Sequence, residues 1–194
     1  MLRTFFNNRA IAWDETIAER NSDTLKQMAS KLEIIEGNSI LDVGTGTGIM
    51  IPYYLNRIGE RGKLVAMDFA EEMLRISKTK FFCGPINFLH ADIISLPLSE
   101  HIFDVVVCYS SFPHFHSKLK ALNEIYRVLK KGGRLNICHT SNRDIINSIH
   151  KAIPLLENDL IPDSDEMLEM LSAAGFECIQ IEDNAENYLA RGQK

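Results

Sequence analysis

The apolar positions of this chain fall into short β-branched runs, separated by longer segments of helical period. Residues 39–43 (SILDV) form one run closed by glycines, and 63–68 (KLVAMD) a second, introduced by Gly62. Residues 86–89 (INFL) make a short third, 103–109 (FDVVVCY) a fourth, and 134–139 (RLNICH) a fifth after Gly132-Gly133. The fourth run is apolar at nearly every position from 105 to 109, the pattern of a strand buried on both faces of a parallel sheet. Between the runs, 49–58, 71–79 and 118–130 read as helices. In the last of these, Leu119, Leu122, Ile125, Tyr126 and Leu129 make one apolar stripe. Asp163 followed by Glu166 predicts a capped helix start, and Gly175 its end. Residues 176–181 and 187–191 read as two more strands, close enough in sequence to pair antiparallel. The alternation predicts a doubly wound α/β fold: a seven-stranded, mostly parallel sheet with a C-terminal antiparallel strand. Ligands of such sheets bind beyond the carboxyl ends of the strands, where strand order reverses.

A length of 194 residues suits one domain, with 1–33 as an N-terminal helical segment over 34–194 and a short lid at 140–162. The net charge of −5, from 21 basic and 26 acidic residues, argues against a partner held by bulk positive charge, whether nucleic acid or anionic membrane. Arg127, Lys130 and Lys131 read as a solvated complement to a helix C-terminus. The four cysteines (83, 108, 138, 178) lack CxxC spacing and read as small buried hydrophobes of a cytoplasmic protein. The N-terminus has no apolar core of a signal peptide, and no apolar run approaches the ~20 residues of a membrane span.

The first strand runs into Asp42-Val43-Gly44-Thr45-Gly46-Thr47-Gly48-Ile49. Glycines at spacing two let a backbone turn tightly and approach a ligand. The dinucleotide fingerprint would need glycine at 49, which is Ile49, and no Gly-Lys-Ser/Thr follows for a phosphate loop. A nicotinamide oxidoreductase is thereby disfavoured. Asp68 ends the second run, 20 residues after Gly48, where a carboxylate can accept from two ribose hydroxyls or simply cap the next helix. Asp92 follows the third run. Acids near three strand ends (42, 68, 92) exceed what capping requires.

Together with Phe103-Asp104-Val105-Val106-Val107 and Arg127-Val128-Leu129-Lys130-Lys131-Gly132-Gly133, these motifs resemble, in order and spacing, those of class I S-adenosylmethionine-dependent methyltransferases. The resemblance covers about 30–190; Lys131 stands where the family usually has proline. It implies a Rossmann-like fold with S-adenosylmethionine as cofactor. It also implies that Gly44, Thr45, Gly46 and Gly48 pass under the methionine portion, with Asp42 near its amino group. Asp68 would hold the ribose, and Phe69 and Met73 would border the adenine. Ala91, Asp92 and Ile93 would meet the adenine amino group and ring, and Tyr109 and Ser110 would flank the sulfonium.

Methyl transfer from a sulfonium is an in-line displacement with a neutral leaving group, so alignment and exclusion of water carry much of the rate. A base helps only when the acceptor arrives protonated. The candidates are His114 and Tyr109, in or beside the loop after the fourth strand. His114, His116, Cys138, His139 and His150 come from separate segments without local ligand spacing, so no metal is expected. The aromatic segment from Phe5 through Trp13 either covers the cofactor mouth or pins the terminus to the sheet. The small additions favour a small-molecule acceptor; a non-catalytic module that binds S-adenosylmethionine or S-adenosylhomocysteine is the alternative.

Overall fold

A computed structural model describes residues 1–16, 22–81 and 83–194. Three helices come first: α1 (Leu2–Arg9), α2 (Trp13–Thr16) and α3 (Ser22–Lys31). There follow β1 (Ser39–Val43), α4 (Ile51–Ile58), β2 (Lys63–Asp68), α5 (Glu71–Lys80), β3 (Ile86–His90) and β4 (Phe103–Tyr109). After a 3-10 turn at Phe112–His114 come α6 (Lys118–Val128), β5 (Leu129–His139), α7 (Arg143–Lys151), α8 (Ser164–Ala173), β6 (Glu177–Asp183) and β7 (Tyr188–Gln193). The strand order is β3-β2-β1-β4-β5-β7-β6, with β7 antiparallel to both its neighbours and the other pairings parallel. Both α1 and α3 fall in the segment expected to be helical; residues 17–21 of it lie outside the described residues.

The unbroken apolar runs are explained by helices on both faces. Along β4, Val106 and Cys108 pack with Leu122 and Ile125 of α6 and Met167 and Leu171 of α8. Val105 and Val107 face the other way, among Leu25 and Met28 of α3 and Ile51, Tyr54 and Ile58 of α4. A strand whose successive side chains meet different helical layers has no solvent face, so alternation disappears from its sequence. The crossovers from β1 and β4 diverge, and the crevice between the ends of these adjacent parallel strands is the switch point of the sheet.

Several boundaries differ from the sequence pattern. The first helix of the sheet starts at Ile51, because 44–50 are drawn into the loop after β1. Helix α6 stops at Val128, since Leu129 pairs with Phe103 and opens β5 five residues before Arg134. The Gly132-Gly133 pair lies inside that strand, where Gly132 (φ +78°) and Gly133 exchange hydrogen bonds with Lys194. Helix α7 lies in the segment read only as a lid. Cys108 and Cys138 are buried, but Cys83 and Cys178 are exposed. Cys178 sits at a bulge of edge strand β6 with φ +50°, which takes it out of the core.

Two members of the basic cluster at the end of α6 are bonded rather than free. Arg127 donates to the carbonyls of Leu98 and Leu96 and pairs with Glu124, while Lys130 reaches Asp104 at 2.8 Å. Arg127 thereby ties the loop before β4 to α6. Replacing Arg127 by Met should lower stability by about 1–2 kcal/mol through the unpaired carbonyls and carboxylate, read as a lower urea midpoint at unchanged slope.

Candidate active site

The loop after β1 is fastened to β2 by Gly44 and Thr45, whose N–H groups both donate to the Met67 carbonyl (2.8 and 2.9 Å). Two of its glycines have distinct reasons. Gly44 has φ +75°, and a Cβ there would lie 2.4 Å from that of Ser111. This close approach lets Ser111 Oγ donate to the Val43 carbonyl at 2.6 Å, joining the ends of β1 and β4. Gly46 has φ +56° and nothing closer to its missing Cβ than Trp13 Nε1 at 3.9 Å. Its bare backbone faces a cavity of about 270 Å³ at the switch point.

Of the residues picked from the sequence, Gly44, Thr45, Gly46, Asp68, Phe69, Met73, Asp92, Ile93, Tyr109, Ser110 and His114 line this cavity. Asp42, Gly48 and Ala91 do not. Asp42 is buried behind the loop, Gly48 packs toward Ser77 and Phe81, and Ala91 uses its N–H on the Asp68 carbonyl. Val43, Thr47, Ile49 and Met67 also line the cavity, as do Ser111, Phe115 and His116. These are neighbours of the motif residues, and strand-end position was the signal that could have found them. Leu2 of α1 had no such signal.

Phe6 and Trp13 complete the wall. The Phe6 ring meets those of Trp13, Phe69 and His114 edge-on at 5.5, 5.9 and 5.0 Å. Covering the mouth and pinning the terminus, two readings of this segment, are thus one arrangement. Asp14 of α2 reinforces it, accepting from Thr47 Oγ1 at 2.6 Å and pairing with Lys80.

Asp68 Oδ2 accepts from Gly46 N and Oδ1 from Ala70 N, both at 2.8 Å. The carboxylate therefore caps the α5 turn and holds the glycine loop, with lone pairs to spare for hydroxyls. Burial raises its pKa to about 6 against the pull of those N–H donors. Asp42 is pushed up to about 7, first by burial and next by the charge of Asp68; nearby Thr45 and Tyr54 hydroxyls offset part of this. Neither hydroxyl completes a bond of normal geometry, so Thr45 contributes a buried, unpartnered Oγ1 to a cavity-lining position.

At the other end, β4 delivers Tyr109, whose hydroxyl lies 3.2 Å from Thr140 Oγ1, and Ser110 in the left-handed region (φ +51°). Non-glycine residues held there store strain, a recurrent feature of functional sites. His114 Nδ1 lies 2.9 Å from Asp159 Oδ2, and its ring stacks at a tilt on His150 at 4.9 Å. His139 is fully buried; desolvation, then the charges of His114 and His150, lower its pKa to about 3. Among the described residues, no group of three His, Cys, Asp or Glu is arranged to hold a metal ion.

A family model described as a methyltransferase domain matches residues 41–137, from β1 into β5. The ubiquinone/menaquinone biosynthesis C-methyltransferase UbiE of Escherichia fergusonii is 30% identical over 171 residues, covering 74% of this chain and 68% of that protein. The chain belongs to the class I S-adenosylmethionine-dependent methyltransferases. Solved structures share the fold of this methyltransferase. An Aquifex aeolicus S-adenosylmethionine-dependent methyltransferase superposes with TM-score 0.72 at 24% identity, over 87% of this chain and 88% of its own. A Haloferax volcanii chain, solved in complex with the Trm112 methyltransferase activator, reaches 0.80 at 19% identity, over 97% and 96%.

The methyltransferase cavity fits its cofactor by two observations: the uncovered backbone of Gly46 and the Asp68 carboxylate beside it, with lone pairs left for hydroxyls. A Gly46→Ala change should weaken S-adenosylhomocysteine binding at least tenfold, because the methyl adds strain at positive φ and enters the cavity; titration calorimetry reads this directly. The raised Asp42 pKa has a consequence for stability. From about pH 4 to 7 the folded protein keeps a proton that the unfolded chain has released, so stability falls as pH rises. Asp42→Asn should remove this contribution, on the order of 4 kcal/mol for three pKa units. The melting temperature of the variant should therefore gain on the wild type between pH 5 and 7.5.

Proposed function

We propose that the cavity is divided along its length between cofactor and acceptor. The single observation carrying this reading is that Gly46, Asp68 and Asp92, at the ends of β1, β2 and β3, share one cavity with His114 from beyond β4. The methionine portion of S-adenosylmethionine lies along Gly44, Thr45 and Gly46, the ribose on Asp68, and the adenine beside Phe69, Met73, Asp92 and Ile93. The bound cofactor supplies a methyl group on a positively charged sulfur. Tyr109 and Ser110 flank that point, and the acceptor enters against His114 and His116 under α1. Asp42, which lies outside the lining, acts as a buried acid behind the loop.

The protein's own part is alignment and exclusion of water. Phe6 and Trp13 close the mouth with apolar surface, and the strained Ser110 backbone lets Tyr109 and Ser111 face different partners. Proximity of this kind accounts for about 7–11 kcal/mol of a displacement barrier in favourable cases. Apolar walls and the quinone-biosynthesis relative support a small organic acceptor, with carbon among the atoms that receive the methyl. No helix among the described residues is long and apolar enough to cross a membrane, and the reading places the enzyme in the cytoplasm.

The test has two arms. Calorimetry should give micromolar affinity for S-adenosylmethionine and S-adenosylhomocysteine and none for NADH, and Asp68→Ala should weaken the first two at least tenfold. Unchanged affinity in that variant rejects the ribose assignment. Methyl-labelled S-adenosylmethionine incubated with a cell metabolite extract should yield labelled small molecules; binding without any labelled product supports a non-catalytic module instead.

A further inference from the structure

Helix α7 buries the polar residues Asn147 and His150 while leaving Ile145 and Ile149 each 45% exposed. Its polar side has a mechanical task. Asn147 brackets Ile161, accepting from its N–H at 2.8 Å and donating to its carbonyl at 3.0 Å. His150 Nδ1 bonds to the carbonyl of Asp159. On the upstream side, Leu156 N–H donates to Ile153 and Asp159 N–H to Leu156, each at 2.8 Å. The backbone around Asp159 is thus fixed from three directions, and its carboxylate is presented to His114 Nδ1 at 2.9 Å.

The pair is largely shielded, with side-chain exposures of 12% for His114 and 24% for Asp159, and Phe6 packs on the imidazole. An acceptor on Nδ1 keeps the proton there and leaves Nε2 as the basic nitrogen. Among the described residues no protein hydrogen bond occupies Nε2, and His114 lines the cavity. The other charged or titratable groups around the pair are Lys118 from α6, His150 from α7 and His139 from β5; Glu166 bears on it through Lys118.

The described lining also limits the acceptor. It contains no Lys or Arg, and its carboxylates, Asp68 and Asp92, lie at the cofactor end. None of the four cysteines lines it. A neutral acceptor with one dissociable proton meets the His114–Asp159 pair, whereas no Lys, Arg or Cys in this lining awaits a carboxylate or a thiophilic metalloid.

We propose that Asp159 is a positioning residue, held by Asn147 and His150, that sets His114 as the base for a neutral acceptor bearing a phenol- or enol-type hydroxyl. This deepens the cavity reading above and rests on it. His114 Nε2 takes the hydroxyl proton. The electron pair released on oxygen, or on the carbon conjugated to it, forms the bond to the methyl carbon, and the sulfur–methyl pair stays on sulfur as a neutral thioether. On the carbon route the ring or chain carbon then loses its own proton while the oxygen takes one back, restoring the hydroxyl. Either way one proton leaves to solvent by way of His114.

The experiment compares wild type, Asp159→Asn, Asp159→Glu and His114→Gln in three readouts. These are S-adenosylhomocysteine affinity, the His114 ring tautomer by long-range 1H–15N correlation, and labelling of the metabolite extract against pH. The expected wild type shows the Nδ1–H tautomer and places label in neutral phenolic or enolic compounds. Asp159→Asn should keep affinity within twofold, lose the fixed tautomer and label at least tenfold more slowly. His114→Gln should lose labelling further, and Asp159→Glu should recover part of it. Label in amines, an unchanged tautomer, or labelling within twofold of wild type in Asp159→Asn overturns the proposal. So does a fall in affinity in that variant, which makes Asp159 a structural residue. A wild type that binds the cofactor yet labels nothing overturns the base assignment alone, whereas one that binds no cofactor overturns the cavity reading itself.

Discussion

The site depends on one close approach: the α-carbon of Gly44 against the side chain of Ser111, sealed by the Ser111–Val43 hydrogen bond. It brings the outgoing ends of β1 and β4 together where the crossovers of the sheet diverge, so the strands open a crevice instead of continuing as a closed layer. Once Gly44 and Thr45 are also tied to Met67 at the end of β2, the loop is held on both sides. Gly46 is then left as exposed backbone, and Asp68 can reach its N–H. A side chain at 44 would break this sequence of contacts at its start.

Buried polarity accompanies the arrangement. Asp42 and Asp68 are held as acids that ionise with difficulty, and Thr45 and Tyr54 hydroxyls are left without full partners. Native interiors satisfy nearly all such groups, and here both hydroxyls act on Asp42 behind the loop. The N-terminal aromatics pack on the arrangement from outside. Phe6 touches Trp13, Phe69 and His114, so one ring connects α2 and the end of β2 with the turn after β4.

The fold was legible because its signals are local. Unbroken apolar runs such as Val105–Tyr109, turn glycines and a capping pair are each decided within a few residues; Asp163 does accept from Glu166 N–H, and Gly175 does take a left-handed φ. Boundaries failed where a distant strand competed. Leu129 belongs by its stripe to α6, but pairing with Phe103 draws it into β5. Most strand-end residues chosen for the site do line the cavity, because the switch-point rule converts position in a strand into position in space. Asp42, Gly48 and Ala91 miss it because neighbouring residues of the same loops occupy the surface.

The sequence by itself determined the doubly wound sheet, the family and its cofactor, since these rest on spacing within short contiguous motifs. Only the tertiary structure decided what meets at the far end of the cavity. His114 and Asp159 stand 45 positions apart, and their pairing follows from α7 turning its polar face inward to clamp the chain at 159–161. No periodicity announces such an inversion, because a helix that buries Asn147 and His150 and exposes Ile145 and Ile149 reads in sequence as the reverse of what it does. The side chains that hold it so are contributed by distant segments, and chain folding alone brings them within reach.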